Sequence, residues 1–473
     1  MINISDSDRR HRQYKAVTRA NIRQTAPWND GRLGPELQEA IEVVSAVLPF
    51  RTNTYIIDEL IDWSAVPDDP MYQLTFPQRG MLNDRDYRTM AQLIRSDASR
   101  EAVEAEANRI RMSLNPHPAG QLTHNVPELH GRRLTGIQHK YPETVLFFPS
   151  HGQTCHAYCT FCFRWAQFVG MEDLKFASRE ADRLVDYVRS DPRITDVLIT
   201  GGDPMIMKTR VFRRYVEPLL HIEHLHTIRI GTKSVAYWPQ RFVTDADADD
   251  LLKLFDQIVA AGKQVAVMGH YTHPVELSTG IARRAVARIR RTGANIRMQS
   301  PIVRHVNDNA KLWAELWRTG TRLGCIPYYM FVERDTGARG YFEVPLTRCW
   351  NIFRRAYRHV SGNCRTVRGP SMSAFPGKVH IVGVTAVGGR RAFVLEYLQC
   401  RRPELVRRPF FARYDEGATW YDQLEPLSEA DREFFIPSPQ HTTDRSTLTI
   451  EGRANGNTRR HDRPASEHRS AER

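Results

Sequence analysis

The sequence predicts an α/β protein, built as a partial (β/α)6 barrel of the TIM type with a helical extension before it and an α+β extension after it. Two observations predict this fold. Six short runs rich in β-branched and aromatic residues recur along the middle of the chain, and these runs are separated by amphipathic segments. The length of 473 residues fits a barrel of about 200 to 250 residues with extensions as well as it fits two smaller domains, so the pattern of runs decides between them.

The predicted parts follow one another in five segments. Residues 1–30 are predicted as a basic arm, and residues 31–138 as a mainly helical region. Residues 139–335 are predicted as the barrel, and residues 336–436 as an extension that completes the functional site. Residues 437–473 contain too few apolar side chains to pack and are predicted to be disordered.

The barrel strands are predicted where apolar runs meet turn residues. They are Thr144–Pro149, Asp196–Thr200, Thr227–Gly231, Gln264–His270, Asn295–Ser300 and Ile326–Val332. The clearest helices between them are Arg179–Arg189, Ala248–Ala261 and Ile281–Thr292. Gly262 and Gly293 follow two of these helices, where a helix C-terminus favours glycine. Outside the barrel, Ser96–Leu114 is predicted as one long helix and Thr366–Leu398 as short strands and turns.

Composition excludes several classes of protein. No run of about 18 apolar residues occurs and the N-terminus does not resemble a signal peptide, so a soluble cytoplasmic protein without a membrane partner is expected. Seven cysteines, of which only three are close together, do not form a secreted disulfide framework. The net charge of +13 is concentrated in part at the two ends, which favours solvated tails over a nucleic-acid partner.

Three cysteines follow the first predicted strand. Cys155, Cys159 and Cys162 lie in the run His-Gly-Gln-Thr-Cys-His-Ala-Tyr-Cys-Thr-Phe-Cys-Phe-Arg. Three thiolates can hold three irons of a [4Fe–4S] cube and leave the fourth iron open, whereas a structural zinc or an electron-transfer cluster normally takes four ligands. Barrels of this kind carry their chemistry at the C-terminal ends of the strands, which is where this loop lies.

The motifs of the chain resemble a known family. The C-x3-C-x2-C spacing, with Phe161 before the last cysteine, resembles the signature of the radical S-adenosylmethionine (SAM) superfamily. From about Tyr14 to Val382, the order of motifs is similar to that of the lysine 2,3-aminomutase family. The motifs are His139–Phe148, Asp196–Pro204, Ile230–Ser234, Pro239–Arg241, His270–Glu276, Gln299–Ser300, Val306–Asp308 and Pro327–Tyr329.

This resemblance implies an enzyme that cleaves SAM reductively to a 5′-deoxyadenosyl radical, which then abstracts a hydrogen from a small substrate. It implies a [4Fe–4S] cluster on the three cysteines and an arginine, Arg164, that binds the substrate carboxylate. It also implies cofactor contacts, which fall on Phe161, Gly201, Gly202, Asp203, Thr232, Ser234, His270 and Gln299. A reducing partner such as flavodoxin or ferredoxin is implied as well.

The residue types at two of these motifs permit a simpler interpretation. Gly201 and Gly202 let backbone approach a ligand closely and Asp203 offers a carboxylate, but Gly-Gly-Asp is also an ordinary strand-to-helix turn. His270 and His273 are predicted to contact cofactor or substrate, the alternative being satisfied structural histidines. A zinc site would need a third ligand, which the sequence does not supply nearby.

Lys378 is the candidate lysine for a second cofactor. The resemblance implies pyridoxal phosphate bound to a lysine as a Schiff base, in a glycine-rich loop after the barrel. Here the loop from Arg368 to Lys378 is longer and lacks the glycine run, and Thr144 stands where relatives have an arginine that contacts the phosphate. Gln299 is retained. The sequence therefore leaves open whether pyridoxal phosphate binds differently, weakly or not at all.

The expected substrate differs from lysine. Two aspartates that grip the distal ammonium in lysine-specific relatives would fall at or beside Arg334 and at Arg368, and an arginine there repels an ammonium. A small anionic, amino-acid-like substrate with a distal carboxylate or phosphate suits two arginines. Glu333 and Asp335 flank Arg334, so a shift of one residue would restore an acid.

The leading hypothesis is an aminomutase-type isomerase that performs a 1,2-amino shift. The alternative within the superfamily is a reaction without pyridoxal phosphate: rearrangement, epimerisation, elimination or dehydrogenation. An iron–sulfur electron-transfer protein would need a fourth ligand, with Cys325 or Cys349 as candidates. A nucleic-acid interface has one hint, the aromatic and basic run Phe163–Phe168. Because only Cys400 follows Cys364, the family's zinc cluster at the subunit interface is absent, and a homo-oligomer would need another route.

Overall fold

A computed structural model describes residues 13–115, 125–169 and 176–436. Residues up to Phe435 belong to one compact unit. Residues 1–12 of the basic arm predicted at the N-terminus, and the tail predicted to be disordered, lie outside the described residues. No helix in the described ranges is both long and apolar enough to cross a membrane.

The N-terminal region is mainly helical, as predicted, and begins with a two-stranded antiparallel sheet of β1 (Ala16–Thr18) and β2 (Arg51–Asn53). Its helices are Ala26–Asn29, Pro35–Val47, Pro70–Thr75, Asp84–Arg95 and Arg100–Leu114, with a π-helical turn at Ile56–Leu60. The single helix predicted over Ser96–Leu114 is wrong at its start. Asp97 has a φ of +49°, which ends one helix, and the Ser99 side chain accepts a hydrogen bond from the Ala102 N–H to cap the next.

One large mixed sheet forms the rest of the fold. After a small hairpin of β3 (Glu128–Leu129) and β4 (Arg132–Arg133), eleven strands pair in chain order. They are β5 (Ile137–Tyr141), β6 (Thr144–Phe147), β7 (Asp196–Ile199), β8 (Thr227–Thr232), β9 (Gln264–His270), β10 (Asn295–Ile302), β11 (Ile326–Val332), β12 (Arg368–Ser373), β13 (Gly377–Val387), β14 (Arg390–Cys400) and β15 (Pro409–Arg413). The α/β class and all six predicted barrel strands are confirmed.

The central strands are parallel and the outer ones antiparallel. Each strand from β6 to β11 pairs in parallel with the next, whereas β5 pairs with β6, and β12 to β15 pair with one another, in antiparallel fashion. Sequential parallel order is what a partial barrel requires, and the barrel curvature itself stays a prediction. The short strands predicted over Thr366–Leu398 are wrong in length, because β13 and β14 each run for 11 residues and extend the main sheet.

Helices connect the parallel strands. They are Ala181–Ser190, Thr209–Val216, Ser234–Tyr237, Ala248–Ala260, Gly280–Arg291, Ala310–Arg322, Arg339–Phe342 and Leu346–Arg358. The three helices predicted between strands are confirmed to within two residues at each end. Gly262 and Gly293, with φ of +78° and +80°, follow two of them in the left-handed conformation that only glycine adopts without strain.

Side chains alternate between the two faces of the parallel strands. One face, with Ile199, Ile230 and Ile296, is fully buried. The opposite face carries half-buried side chains, among them Leu146, Leu198, Arg229, Arg297 and Gln299. We call this second face of β6 to β12 the inner face. Incomplete burial of a sheet face that is rich in apolar and charged side chains indicates space for ligands beside it.

Candidate active site

The candidate site lies along one edge of the sheet, where the parallel strands end. Because neighbouring strands from β6 to β12 run in the same direction, their C-terminal ends share this edge. The cysteine loop follows β6, Gly201–Asp203 follows β7 and His270 ends β9. Lys378 reaches the same edge from β13, because it pairs with Ser373, the last residue of β12.

The three cysteine thiols lie close enough to influence one another. Burial raises the pKa of Cys155 well above its usual value, and negative charge on Asp203, Cys162 and Cys159 raises it further. Burial, followed by Cys159, raises the pKa of Cys162 to about 12. Three desolvated thiols that repel each other's negative charge are the donor set that iron cations stabilise. In the described ranges no three His, Cys, Asp or Glu side chains converge as ligands of one metal ion do, but in a [4Fe–4S] cube each thiolate binds a different iron. The donor set therefore fits a cluster held by three cysteines.

The N-terminal region holds the cysteine loop in place. The Tyr158 N–H donates to the Arg51 carbonyl at 2.8 Å, and the Thr160 N–H donates to the Leu74 carbonyl at 3.0 Å. These two bonds fix the backbone on either side of Cys159. The helical extension is therefore part of the site, because it orients the cluster ligands.

The Gly-Gly-Asp turn packs directly on the cysteine loop. A Cβ on Gly202 would lie 2.6 Å from both the N and the O of Thr154, and Gly201 has a φ of +144°. The Asp203 N–H donates to the carbonyls of Gly152 (3.0 Å) and Thr154 (2.8 Å). The glycines are thus required for close approach of two protein segments.

Asp203 holds this turn to the next strand. It is only 2% exposed, and its carboxylate accepts hydrogen bonds from the N–H groups of Met205, Lys233 and Ser234 at 2.8–3.0 Å. The hydroxyls of Thr232 and Ser234 donate to it as well. With five protein donors on its carboxylate, Asp203 organises the site. A contact of this turn with SAM has to come from backbone atoms and stays a prediction.

His270 and Gln299 lie side by side on neighbouring strands. They are register partners of β9 and β10, and the Gln299 amide nitrogen lies 2.9 Å from His270 Nε2. Burial, followed by the charge of Lys233, lowers the pKa of His270 to about 3, so the ring is neutral. His273 uses its Nδ1 to accept from the Val275 N–H and caps its own turn. Each of the two histidines therefore has a hydrogen-bond partner within the protein.

The guanidiniums of two arginines, Arg164 and Arg334, both lie over the ring of Phe163. The Arg164 guanidinium lies over Phe148 at 4.2 Å and over Phe163 at 5.2 Å, and the Arg334 guanidinium lies over Phe163 at 5.7 Å and over Trp420 at 5.3 Å. Burial lowers the pKa of Arg164 to about 10. The guanidinium of Arg164 has no hydrogen-bond acceptor among the described residues, and Nε of Arg334 is buried without one. Arg334 is nevertheless partly engaged, because its Nη1 donates to the Ser373 carbonyl at 3.2 Å and its Nε lies 3.6 Å from Asp335 Oδ1. Arg164 is the guanidinium with more freedom to take an anion.

A buried acid lies beside these arginines. Glu333 follows β11, is 6% exposed and raises the pKa values of Cys159 and Cys162. Burial raises the pKa of its own carboxyl well above the usual range, which favours the uncharged acid. Glu333 therefore adds a hydrogen-bond donor to the site without adding a full negative charge.

Lys378 presents a free amine on the inner face. Its Nζ lies 4.2 Å from the centre of the Tyr329 ring and 5.8 Å from that of Phe331. Burial lowers the pKa of this amine to about 8, Arg229 and Arg368 lower it as well, and Tyr328 opposes them. Within the described segments it has no hydrogen-bond acceptor. A desolvated amine of this kind is what covalent bonding to an aldehyde requires, so Lys378 fits pyridoxal phosphate.

Arg368 lies apart from the other two predicted substrate arginines. It is the first residue of β12 and is exposed, with its guanidinium over the rings of Tyr328 (5.3 Å) and Tyr329 (5.9 Å). Its register partner is Tyr329, the central residue of β11, whereas Arg334 follows the end of that strand. The structure therefore brings Arg164 and Arg334 together but leaves Arg368 toward the N-terminal side of the sheet.

The remaining residues that were predicted to contact a cofactor pack against, or form hydrogen bonds with, other residues of the protein. The Phe161 ring packs edge-on against Phe342 at 6.3 Å. Ser234 Oγ lies 2.8 Å from Nδ1 of the buried His156, and Thr232 donates to the Asp203 carboxylate. Direct contact of these three residues with a cofactor stays a prediction.

The structure also shows buried or partly buried charged side chains near the site that were not predicted from the sequence. Lys233 Nζ forms a buried ion pair with Glu276 at 2.6 Å, and burial lowers the pKa of Lys140 to about 7. Arg229 and Arg297 lie on the inner face. A signal for these two was present, since each is a single arginine within an otherwise apolar strand, Ile-Arg-Ile and Ile-Arg-Met.

The residues named for the two non-enzymatic alternatives lie elsewhere. Cys325 precedes β11, at the edge opposite the cysteine loop, and Cys349 is buried in a helix, where its thiol donates to the Val344 carbonyl. Trp165 is buried and Phe168 stacks on Tyr158 at 4.5 Å, so the aromatic run does not form an open platform for bases.

Comparisons with known proteins find several relatives of one enzyme family. A putative L-lysine 2,3-aminomutase of Aquifex aeolicus is 29% identical over 392 residues, which cover 83% of this chain and 92% of that protein. The L-lysine 2,3-aminomutases of Clostridium subterminale and Bacillus subtilis are 28% and 25% identical over 229 and 271 residues, and each match covers 52% of the relative. No protein-family model matches the chain. A solved radical SAM methyltransferase from Sphaerobacter thermophilus aligns over 59% of this chain and 91% of its own, at 18% identity and a TM-score of 0.35.

The matches to the Clostridium and Bacillus enzymes thus span about half of those proteins, whereas the match to the Aquifex protein spans nearly all of it. Each of these three relatives carries the name of one enzyme family, the lysine 2,3-aminomutases, and this chain is similar to them at 25–29% identity.

Proposed function

We propose that this chain is a radical SAM aminomutase that moves an amino group between adjacent carbons of a small acidic amino acid. The observation that supports this most directly is the set of groups at one edge of the sheet: three thiols, two guanidiniums that share the ring of Phe163, and the free amine of Lys378. Each of the three kinds of group has a separate task.

The cofactors supply the bond-breaking chemistry. When bound, the cluster and SAM supply a 5′-deoxyadenosyl radical that abstracts a hydrogen from the substrate, and pyridoxal phosphate supplies a carrier for the migrating amino group. A reducing partner such as flavodoxin or ferredoxin supplies the electron. The protein contributes the three thiolates, with Asp203 holding the Gly-Gly-Asp turn against their loop.

The two guanidiniums select an acidic substrate. Arg164 is placed to bind the α-carboxylate, because its guanidinium is desolvated and lacks an acceptor among the described residues. Arg334 shares the Phe163 ring with it and is placed to bind a distal carboxylate. Because burial favours the uncharged form of Glu333, that residue does not oppose an acidic substrate.

Lys378 holds the carrier of the amino group. Its pKa of about 8 leaves a substantial fraction of neutral amine near neutral pH, and the Tyr329 ring beneath it limits its motion. Its position opposite Ser373 keeps it on the edge that the cysteine loop shares.

The decisive experiment is anaerobic reconstitution with iron, sulfide and a reductant, followed by addition of SAM and measurement of 5′-deoxyadenosine. The wild type is expected to cleave SAM, and Cys159→Ala is expected not to. A matched control is Cys364→Ala, which removes a thiol far along the chain from the loop. A protein that holds four irons per chain and leaves SAM intact would disprove the proposal.

The substrate class is tested by isotope transfer from deuterated amino acids into 5′-deoxyadenosine. Transfer is expected from glutamate-like acids rather than from lysine, because an arginine at position 334 repels an ammonium. Arg334→Asp should reverse this preference, whereas Arg407→Asp, which changes an exposed arginine outside the site, should not. Equal transfer from lysine in the wild type would refute the assignment of an acidic substrate.

The reaction without pyridoxal phosphate remains a second candidate, favoured by Thr144 in place of the expected phosphate-binding arginine. It predicts that Lys378→Ala still converts substrate. The aminomutase predicts that this variant cleaves SAM but forms no rearranged amino acid.

A further inference from the structure

The inner face carries more positive charge than the substrate arginines explain. Arg229, Arg297 and Arg368 all lie on this face, toward the N-terminal side of the Lys378 amine. Strand register places Arg229 beside Leu198, and Arg297 beside Met268 and Ile326. A charged group in the middle of a strand, facing a partly open space, needs a counter-charge.

Arg297 lies directly below the cofactor residues of its own strand. Side chains two apart on a strand share a face, so Arg297 is on the same face as Gln299, about 7 Å nearer the N-terminal edge. Its guanidinium lies 5.1 Å from the centre of the Tyr328 ring, on which Arg368 also stacks at 5.3 Å. In the ranges that the structure describes, the Arg297 guanidinium has no hydrogen-bond acceptor.

Arg229 lies in the neighbouring part of this face and is only partly neutralised. Its Nε donates to Asp196 Oδ1 at 2.8 Å, and its Nη2 donates to Thr144 Oγ1 at 3.3 Å. Asp196 therefore has two arginines near it, because Arg229 and then Arg297 lower its pKa against the effect of burial. The guanidinium of Arg229 thus points to the start of β6, where Thr144 leaves room for it.

The Lys378 amine joins the same group of side chains. The Tyr329 ring lies between Lys378 Nζ (4.2 Å) and the Arg368 guanidinium (5.9 Å). Three guanidiniums and one amine share this face with the Asp196 carboxylate, which pairs with Arg229 at 2.8 Å. An anion with two charges would balance the face, and a phosphate monoester offers both that charge and the oxygen geometry that guanidiniums bind in bidentate fashion.

We propose that Arg229 and Arg297 form the phosphate-binding site for pyridoxal phosphate in this chain, below the amine of Lys378, with Arg368 adding positive charge at the rim. This inference rests on the proposed function for its cofactor, and it assigns to two strand arginines a task for which the sequence offered only Gln299. In this arrangement Lys378 would hold the aldehyde end of the ligand and the two arginines would hold its phosphate.

The covalent step needs no further reactant. The neutral Lys378 amine attacks the aldehyde carbon, a C=N bond forms, and the aldehyde oxygen leaves as water with two protons from the amine. No electron is gained or lost. The phosphate is not altered, so its contribution is binding energy alone, which can be measured without turnover.

The test compares two aldehydes that differ only in the phosphate. Pyridoxal phosphate and pyridoxal are titrated into cluster-free protein, and the visible absorbance of the lysine adduct reports binding. Arg297→Gln and Arg229→Gln are expected to weaken pyridoxal phosphate binding on the order of 10- to 100-fold each and to leave pyridoxal binding unchanged. Arg193→Gln, on the surface with Asp191 as its partner, is the matched control, and Lys378→Ala should abolish the absorbance for both aldehydes.

Several results would overturn the inference. Equal weakening for both aldehydes would mean that the arginines only support the fold, and an unchanged affinity for pyridoxal phosphate would mean that the phosphate binds elsewhere or not at all. Arg229→Lys keeps the positive charge near Asp196 and therefore serves as a control for loss of folding in Arg229→Gln. It should retain more affinity for pyridoxal phosphate than Arg229→Gln does. Because the titration uses no SAM, a failure of the radical reaction would not affect it, and SAM cleavage with intact cluster would still test the proposed function alone.

Discussion

A substitution at Asp203 can show whether its carboxylate stabilises the protein or binds a ligand. Its carboxylate accepts from three backbone N–H groups and two hydroxyls inside the protein. Asp203→Asn keeps the size of the side chain but replaces one carboxylate oxygen with an NH2 group. In either orientation of the amide, at least one backbone N–H then faces another donor.

The cost follows from the bonds that are lost. One buried N–H without an acceptor costs about 1–3 kcal/mol, and replacing charged by neutral acceptors weakens the remaining bonds. We therefore expect Asp203→Asn to lower the free energy of unfolding by about 2–4 kcal/mol. Asp203→Ala would leave three backbone N–H groups without an acceptor and lower the free energy of unfolding by about 3–9 kcal/mol. This is much of the stability of a typical domain, so asparagine is the more informative substitution.

The assay is urea unfolding of cluster-free protein, followed by the fluorescence of its eight tryptophans. Asp191→Asn is the matched control, since Asp191 pairs with an exposed arginine at the surface and its loss should cost less than about 1 kcal/mol. If Asp203→Asn unfolds at the same urea concentration as the wild type but loses affinity for SAM, the carboxylate faces the ligand and the reasoning is refuted.

Three further predictions concern the loop, the lysine and a buried ion pair. Gly202→Ala places a Cβ 2.6 Å from the backbone of the cysteine loop, so we expect its iron content after reconstitution to fall, while Gly340→Ala, where the same Cβ meets nothing within 4 Å, should hold as much iron as the wild type. The rate at which Lys378 reacts with pyridoxal should rise with pH around a midpoint near 8, because only the neutral amine attacks; a midpoint near 10.5 would contradict a desolvated amine. Glu276→Gln leaves the Lys233 amine buried without its counter-ion and should cost about 3–5 kcal/mol in urea unfolding, and an unchanged midpoint would mean that water reaches this pair.

The parallel strands were predictable because their residues satisfy local and long-range requirements at once. Gln264–His270 and Ile326–Val332 are mainly apolar, β-branched or aromatic, and both strands have the predicted bounds. The long strands β13 and β14 were missed because exposed polar residues break their pattern. Their register is set by pairing with each other over 11 residues, which no local window contains.

The site was predictable in its cysteines and less so in the roles of individual polar groups. Position in a motif placed Asp203 near a ligand, but the number of donors that converge on its carboxylate depends on how β7 and β8 end together. Likewise Arg368 was placed with the substrate because the family resemblance puts a substrate-binding aspartate of lysine-specific relatives at its position. The structure puts Arg368 at the start of a strand, in register with Tyr329 in the middle of β11, whereas Arg334 follows the end of β11.

The distribution of charge on the inner face determines how a substrate and a cofactor can lie. Arg164 and Arg334 put positive charge at the C-terminal edge, whereas Arg229 and Arg297 put it toward the N-terminal side. An acidic amino acid and a phosphate monoester would compete for one site if these cations were together. Because they are separated along the strands, each anion would have its own cations, and a phosphate held by Arg229 and Arg297 would leave the C-terminal edge free for the substrate.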